Sequence, residues 1–330
     1  MIAKKIKGQL SKVKFALGYN PVVERHERAE TFIPEGYRAV FTLTADFELA
    51  WAPRYSHNHT DPLQASIEYA RRERENVPDI LELCDRYQVP ITWATVGHLF
   101  LHSCAEVDGH KHPEIPVVPA YSGPYWDFQG ADWFEYDPCA DLATAPEWYA
   151  PDLIDRIVAA PAGHEIGCHT FSHIDCRDGV CPPELLESEL HECRRLAAEK
   201  GLELRSFVHP GHTVGNLDTL ARLGFTSYQS DPGNILGYPV RQSNGLWELK
   251  RSMILVYRPE WSIDYHLYRY KKIVDRAIDS GTVCNLWFHP SFSRRVVGEI
   301  LPGLLAHLNE RRDEIKLSTV GQYVEFLNAN

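Results

Sequence analysis

The sequence predicts an α/β protein in which repeated βα units close into a parallel barrel of about seven strands. Three observations carry this. Strand-like and helix-like runs alternate from residue 38 to near residue 328, as they do where parallel strands are joined by crossover helices. The chain has 330 residues, 44% of them hydrophobic, enough for one large barrel with an ample core. Acids and imidazoles fall at the C-terminal ends of successive strand-like runs, the rim at which such barrels carry chemistry.

The elements follow in order. "RAVFTLTAD" (38–46) is rich in β-formers, and "ASIEYARRERENVPDILELCDRY" (65–87) has helical spacing. "VPITWATVG" (89–97) reads as the second strand, "APDLIDRIVAA" (150–160) as a helix and "HEIGCHT" (164–170) as the third strand. In "PPELLESELHECRRLAAEKG" (182–201), Leu186, Leu190, Cys193 and Ala197 form one helical stripe and Gly201 ends it. "RSFVHP" (205–210), "GFTSYQS" (224–230), "TVCNLWFHP" (282–290) and "IKLST" supply the remaining strands, with helices in "WSIDYHLYRYKKIVDRAIDSG", "VVGEILPGLLAHLNERR" and "VGQYVEFL". Residues 38–330 thus form a single barrel domain. Residues 105–149 interrupt its rhythm with Pro, Gly and many aromatics, among them Tyr121, Tyr125, Trp126, Trp133 and Trp148. A loop this long in a compact domain is usually functional; its aromatic faces can stack on sugar rings over the barrel mouth or simply pack the loop down.

Residues 1–37 read as a separate basic amphipathic arm. Ile2, Ile6, Leu10, Val13 and Leu17 recur at helical spacing with Lys4, Lys5, Lys7, Lys12 and Lys14 between them. Such a helix either packs on the body of the protein or lies on an anionic membrane surface. The net charge of −11 argues against nucleic acid as a partner, because phosphate binding relies on clustered Lys and Arg. No run approaches the ~18 apolar residues of a membrane span, and the N-terminus lacks the apolar segment of a secretory signal. The eight cysteines are accordingly expected to be reduced thiols in a cytoplasmic protein, peripheral to the inner membrane surface if the arm binds lipid. Cys176 and Cys181 flank a short loop and are a weak candidate pair.

The candidate chemistry starts at "GHEIGCHTFSH" (163–173), where His169 and His173 stand four apart. On one turn that spacing puts both imidazoles on one side, half of a transition-metal site. "TADFE" ends the first strand with Asp46 and Glu48, which point the same way on extended backbone. One carboxylate with the two imidazoles leaves open positions for water and substrate, and the other carboxylate remains free as a base. His289 in "WFHP" arrives from a late strand as an acid. A Lewis-acid metal, a base and an acid are what amide hydrolysis requires. His98 is ambiguous. "HNH" (57–59) and "HKH" (110–112) read as solvated loops, and His164 as a structural residue at the far rim.

These motifs resemble those of the polysaccharide deacetylases, the NodB-homology or carbohydrate esterase family four group. "HTFSH" is similar to that family's second motif, "TADFE" to the D-x-E variant of its first, and "LWFHP" to its late histidine motif. The order is right over residues 38–328, and "ELAWAPRY" and "RSFVHPG" resemble the branch associated with bacterial surface-glycan assembly. The resemblance implies a distorted (β/α) barrel and metal-dependent removal of an N-acyl group, expected to be N-acetyl, from an amino sugar. It implies Asp46 as general base, His289 as general acid, and Glu48, His169 and His173 as ligands of one divalent transition metal, with zinc the expected ion. A deformylase or other C–N hydrolase on a non-sugar amide is the alternative, and a degenerate glycan-binding member the second.

One departure stands out. The family's third motif supplies an arginine that orients the base, whereas "SFVHPGH" has none around Pro210, and Arg205 sits at the strand start. His209, His212 or Arg241 is then expected to hold Asp46; His209, leaving the strand end directly, is the first choice.

Overall fold

The computed structural model describes residues 21–123 and 125–330, so the basic stretch 1–20 lies outside the described residues. The described remainder of the arm is attached to the barrel: Val22–Val23 pairs in parallel with Ile235–Leu236, and Phe32 and Ile33 pack against the apolar cluster around Tyr323.

The main strands are β1 (Ala39–Phe47), β2 (Thr92–Thr95), β3 (Glu165–Cys168), β4 (Ser206–Val208), β5 (Ser227–Ser230), β6 (Trp247–Lys250), β7 (Met253–Ile254), β8 (Val283–Phe288) and β9 (Ile315–Leu317). The helices are α1 (Pro62–Tyr87), α2 (Pro151–Ala159), α3 (Pro183–Glu199), α4 (Leu217–Arg222), α5 (Ile263–Ser280), α6 (Leu301–Glu310) and α7 (Val320–Ala329). The sheet runs β6-β5-β4-β3-β2-β1-β8-β7 with every pairing parallel, and β9 pairs with the lower half of β1. Val240–Arg241 joins antiparallel, on β6.

The two ends of that order are successive stretches of one chain segment. β6 pairs with β5, Arg251 N–H donates to Ser230 O (2.8 Å), Ser252 N–H to Asn285 O (2.7 Å), and β7 pairs with β8. The run from Trp247 to Leu255 therefore crosses from one edge of the curled sheet to the other and closes the distorted barrel. This corrects the expected strand list. "IKLST" forms only β9, a short neighbour of β1, and the closing segment lies outside the seven expected strands.

All nine residues of β1 are buried, as expected of a central strand covered on both faces. Phe41, Leu43, Ala45 and Phe47 face the apolar core; fully burying each large side chain contributes ~1.5–3 kcal/mol. Thr42, Thr44 and Asp46 face the barrel interior by strand alternation. The helices begin and end where their caps dictate: Asp61 accepts from Gln64 N–H before α1 (2.9 Å), and Thr319 and Gln322 form a reciprocal capping box at α7. Among the described residues no helix is long and apolar enough to cross a membrane.

Candidate active site

Asp46 closes β1, and Glu48 follows it on a turn held from below. Buried Glu73 of α1 accepts the N–H groups of Glu48 (3.3 Å) and Leu49 (2.9 Å). Both carboxylates thus project from one end of the barrel into a cleft of about 540 Å³, beside His173, Trp126, Trp287 and His289.

The "HTFSH" turn leaves β3 with Thr170 (φ 59°) and His173 (φ 62°) in the left-handed region, a conformation that surroundings must enforce for residues other than glycine. They do. Buried Glu189 of α3 accepts from Ser172 N–H and Oγ–H (2.8 and 2.5 Å), and Trp133 Nε1 (3.2 Å) and Arg54 Nη2 (2.9 Å) donate to Ser172 O. The brace sets His169 and His173 so that each Nε2 lies 3.1 Å from Glu48 Oε1. His169 Nδ1–H donates to Val208 O (2.7 Å). Because a carbonyl only accepts, the neutral ring directs its Nε2 lone pair at the carboxylate, the tautomer of a metal-ligating histidine. Burial also drives the His173 imidazole down to about 4, keeping it neutral. Two imidazole nitrogens and one carboxylate oxygen converging on one point fit a divalent transition metal. Burial works against ionisation of Glu48, yet His289 and the two imidazoles hold its carboxyl well below the usual range.

Asp46 is held differently. Arg251, 1% exposed, sets Nη2 across both of its oxygens at 2.7 and 3.0 Å. The guanidinium lies 4.2 Å over the Trp287 ring, and its Nε donates to Gln229 Oε1 (2.9 Å), whose amide donates to Thr44 Oγ1 (2.8 Å). Burial raises the Asp46 carboxyl, but Arg251 and the neighbouring imidazoles bring it below the ordinary value. His289 Nε2 stands 3.6 Å from Glu48 Oε2 and 4.0 Å from Asp46 Oδ2. Its Nδ1 has no hydrogen-bond partner among the described residues.

Asp46, Glu48, His169, His173 and His289 thus come together as expected. His209 does not join them at Asp46: its Nε2–H donates to Gly215 O (3.1 Å) and burial lowers it to about 3. His212 is turned toward Asp231 (3.9 Å) and Trp287, and Arg241 lies beside Trp247. The arginine that holds Asp46 is Arg251, at the join of β6 and β7. An Arg within the alternating run "WELKRSMIL" was the available signal, once that run is read as a strand. "HKH" is also corrected. His110 is exposed, but His112 is buried and bonded to Asp137 (2.7 Å), because the insertion folds over it.

A family model for polysaccharide deacetylases matches residues 62–217, spanning the braced "HTFSH" turn. Over that stretch the chain is similar to the polysaccharide deacetylases. Asp46, Glu48 and His289 lie outside the matched stretch, so their placement beside the "HTFSH" imidazoles is a property of the fold. Among solved structures the chain is similar to a protein of Mycobacterium smegmatis assigned as a polysaccharide deacetylase (TM-score 0.61, 18% identity, covering 94% of this chain and 95% of that one). One from Pseudomonas aeruginosa PAO1 assigned likewise has TM-score 0.62 and 13% identity over 91% and 94%. Puue allantoinase has TM-score 0.59 and 13% identity over 91% and 93%. At these identities the likeness is one of fold. No curated protein matches the sequence.

The aromatic insertion supplies one wall of the cleft. Trp126, 6% exposed, donates its indole N–H to Ala52 O (3.0 Å) and meets the His173 ring edge to face at 5.1 Å. Most other aromatics of the insertion, including Phe128, Trp133, Phe134 and Trp148, pack into the core. Trp126 closes directly on Gly211, where a Cβ would lie 2.1 Å from the ring and φ is +52°. Gly211→Ala is therefore expected to displace the indole and cost roughly 1–3 kcal/mol of stability, read as a lowered melting temperature with a changed near-ultraviolet dichroism.

Proposed function

We propose that this hydrolase removes the acetyl group from an N-acetylated amino sugar in a zinc-dependent reaction serving bacterial surface-glycan assembly. The observation that carries the reading is Glu48 Oε1 at 3.1 Å from both His169 Nε2 and His173 Nε2, with Asp46 and His289 alongside on the same cleft. Glu48, His169 and His173 would hold the ion, which supplies Lewis acidity toward an amide carbonyl when bound. Asp46, its carboxylate oriented by Arg251, accepts a proton from the attacking water. The C–N bond breaks, acetate leaves, and His289 protonates the departing amine from the solvent side of the pair. Tyr125, Trp126 and Trp287 offer aromatic faces to a sugar ring. The arm at residues 1–20 would keep this chemistry at an anionic membrane surface, on the cytoplasmic side.

The degenerate reading rested on a missing arginine, and Arg251 removes that ground. A second reading, hydrolysis of a non-sugar amide, draws on the barrel shared with an allantoinase. Acetate release from N-acetylated sugars by the purified chain separates the two. It is expected to vanish on chelation and to return with zinc. Turnover only on non-sugar amides would favour the second reading, and turnover untouched by chelation would remove the metal from the scheme.

A further inference from the structure

A second constellation lies under the insertion, outside the cleft. His98, on the turn after β2, faces Cys104, His112 and Asp137 from the loop beyond it, and their ligand atoms all lie within 4.8 Å of one another. Asp137 Oδ2 meets His98 Nε2 at 3.1 Å and His112 Nε2 at 2.7 Å, the same arrangement of one carboxylate oxygen against two Nε2 atoms that Glu48 makes. Cys104 Sγ stands 3.5 Å from that oxygen and 3.8 Å from His98 Nε2.

With both imidazoles neutral, the hydrogen-bond requirements of the two rings do not close. His98 Nδ1 faces Trp148 O (3.2 Å), so it carries a proton, and the neutral ring then directs an Nε2 lone pair at an Asp137 oxygen that also only accepts. His112 has the same conflict, with Glu114 Oε1 on Nδ1 (3.4 Å) and Asp137 on Nε2. Protonating both rings would set two imidazolium cations 5.0 Å apart, in a buried site, against one shared carboxylate oxygen. One divalent ion resolves this: two neutral imidazoles, a thiolate and a carboxylate balance its charge. Tetrahedral zinc with Zn–N of ~2.0–2.1 Å and Zn–S of ~2.3 Å spaces its ligand atoms ~3.3–3.8 Å apart, so the carboxylate–imidazole contacts need open by only a few tenths of an ångström. The outer groups are in place. Asp137 Oδ1 accepts from Cys139 N–H (3.0 Å) and Tyr149 O–H (3.4 Å), leaving Oδ2 for the ion.

We propose that His98, Cys104, His112 and Asp137 bind a second divalent ion, zinc by its donor set, that clips the aromatic insertion to the barrel rim and takes no part in hydrolysis. Four protein ligands leave no open position, which marks a structural site. The ion joins His98, packed 4.4 Å from the Trp51 ring, to the loop that carries Trp126 and Trp133.

The test is metal content of the full chain purified from zinc-supplemented culture. Two ions per chain are expected in the wild type, and one in either His173→Ala or His112→Ala. Cobalt loaded into His173→Ala should show a near-ultraviolet sulfur-to-cobalt charge-transfer band, because only the second site contains a thiolate, and the band should be lost when Cys104→Ala is added. If Cys104→Ala does not fold, the band in His173→Ala alone still decides. One ion in the wild type, cobalt bound in His173→Ala without the band, or a Cys104–Cys139 disulfide (Sγ atoms 3.5 Å apart) detected by mass would each overturn the proposal. None of these readouts depends on turnover, so they stand apart from the proposed deacetylation.

Discussion

Asp46→Asn is expected to lower turnover on an N-acetylated sugar by about 10²–10⁴-fold, the usual worth of general-base catalysis, while metal content stays at the wild-type level. The asymmetry between the two carboxylates drives this expectation. Both imidazole Nε2 atoms face Glu48, whereas Asp46 faces a guanidinium. An amide at position 46 can still accept from Arg251 but cannot take a proton from water. Glu48→Gln is expected to do the reverse and lose metal first. Elemental analysis beside single-turnover acetate release reads both. Loss of metal in Asp46→Asn with retention in Glu48→Gln would swap the two roles.

Arg251→Met should be the more damaging to the fold. It leaves the Asp46 carboxylate buried without its partner, and breaking a buried pair from one side costs about 3–5 kcal/mol. Gln229 loses its guanidinium partner in the same step. Turnover should fall because the base is no longer held across both oxygens, with the metal retained. The double variant Arg251→Met with Asp46→Asn removes the orphaned charge and is expected to be more stable in urea than Arg251→Met alone. A double variant no more stable than the single one would mean that Arg251 acts through packing on Trp287 and not through Asp46. Arg251→Lys is expected to recover part of the stability but not the orientation, since a lone ammonium lacks the planar fork.

What the sequence disclosed depended on how local each signal was. β1, the two neighbouring carboxylates and the "HTFSH" turn are short stretches whose alternation and spacing contain their geometry. The stripe Leu186, Leu190, Cys193 and Ala197 is buried as its helical period implies. Arg251 escaped because its role is set by closure of the sheet. β6 and β7 are 4 and 2 residues long, too short for a periodic signal, and the link between them looks like a basic turn. Choosing His209 relied on nearness along the chain, but its backbone continues into a turn that aims the ring at Gly215. The burial of His112 is hidden from the sequence for a similar reason. Its sequence neighbours are polar, and burial there comes from the insertion folding back with Asp137, 25 residues on.

The closing strand has a consequence for the order in which the molecule can form. β1 sits in the middle of the sheet, yet the arginine that neutralises Asp46 lies 205 residues downstream, and its neighbours β8 and β9 come later still. Closing loops of that length is entropically costly before any contact rewards it, so topologies dominated by distant pairings fold slowly. During synthesis, a chain extended only to α4 has β1 through β4 and the "HTFSH" turn but neither β8 nor β9 beside β1, and its buried aspartate has no counterion. The barrel can therefore become a catalyst only late, when the segment from Trp247 to Leu255 docks between two edges that have both already emerged. Until β8 pairs with it, β1 is an exposed apolar edge, the kind of intermediate on which chaperones act.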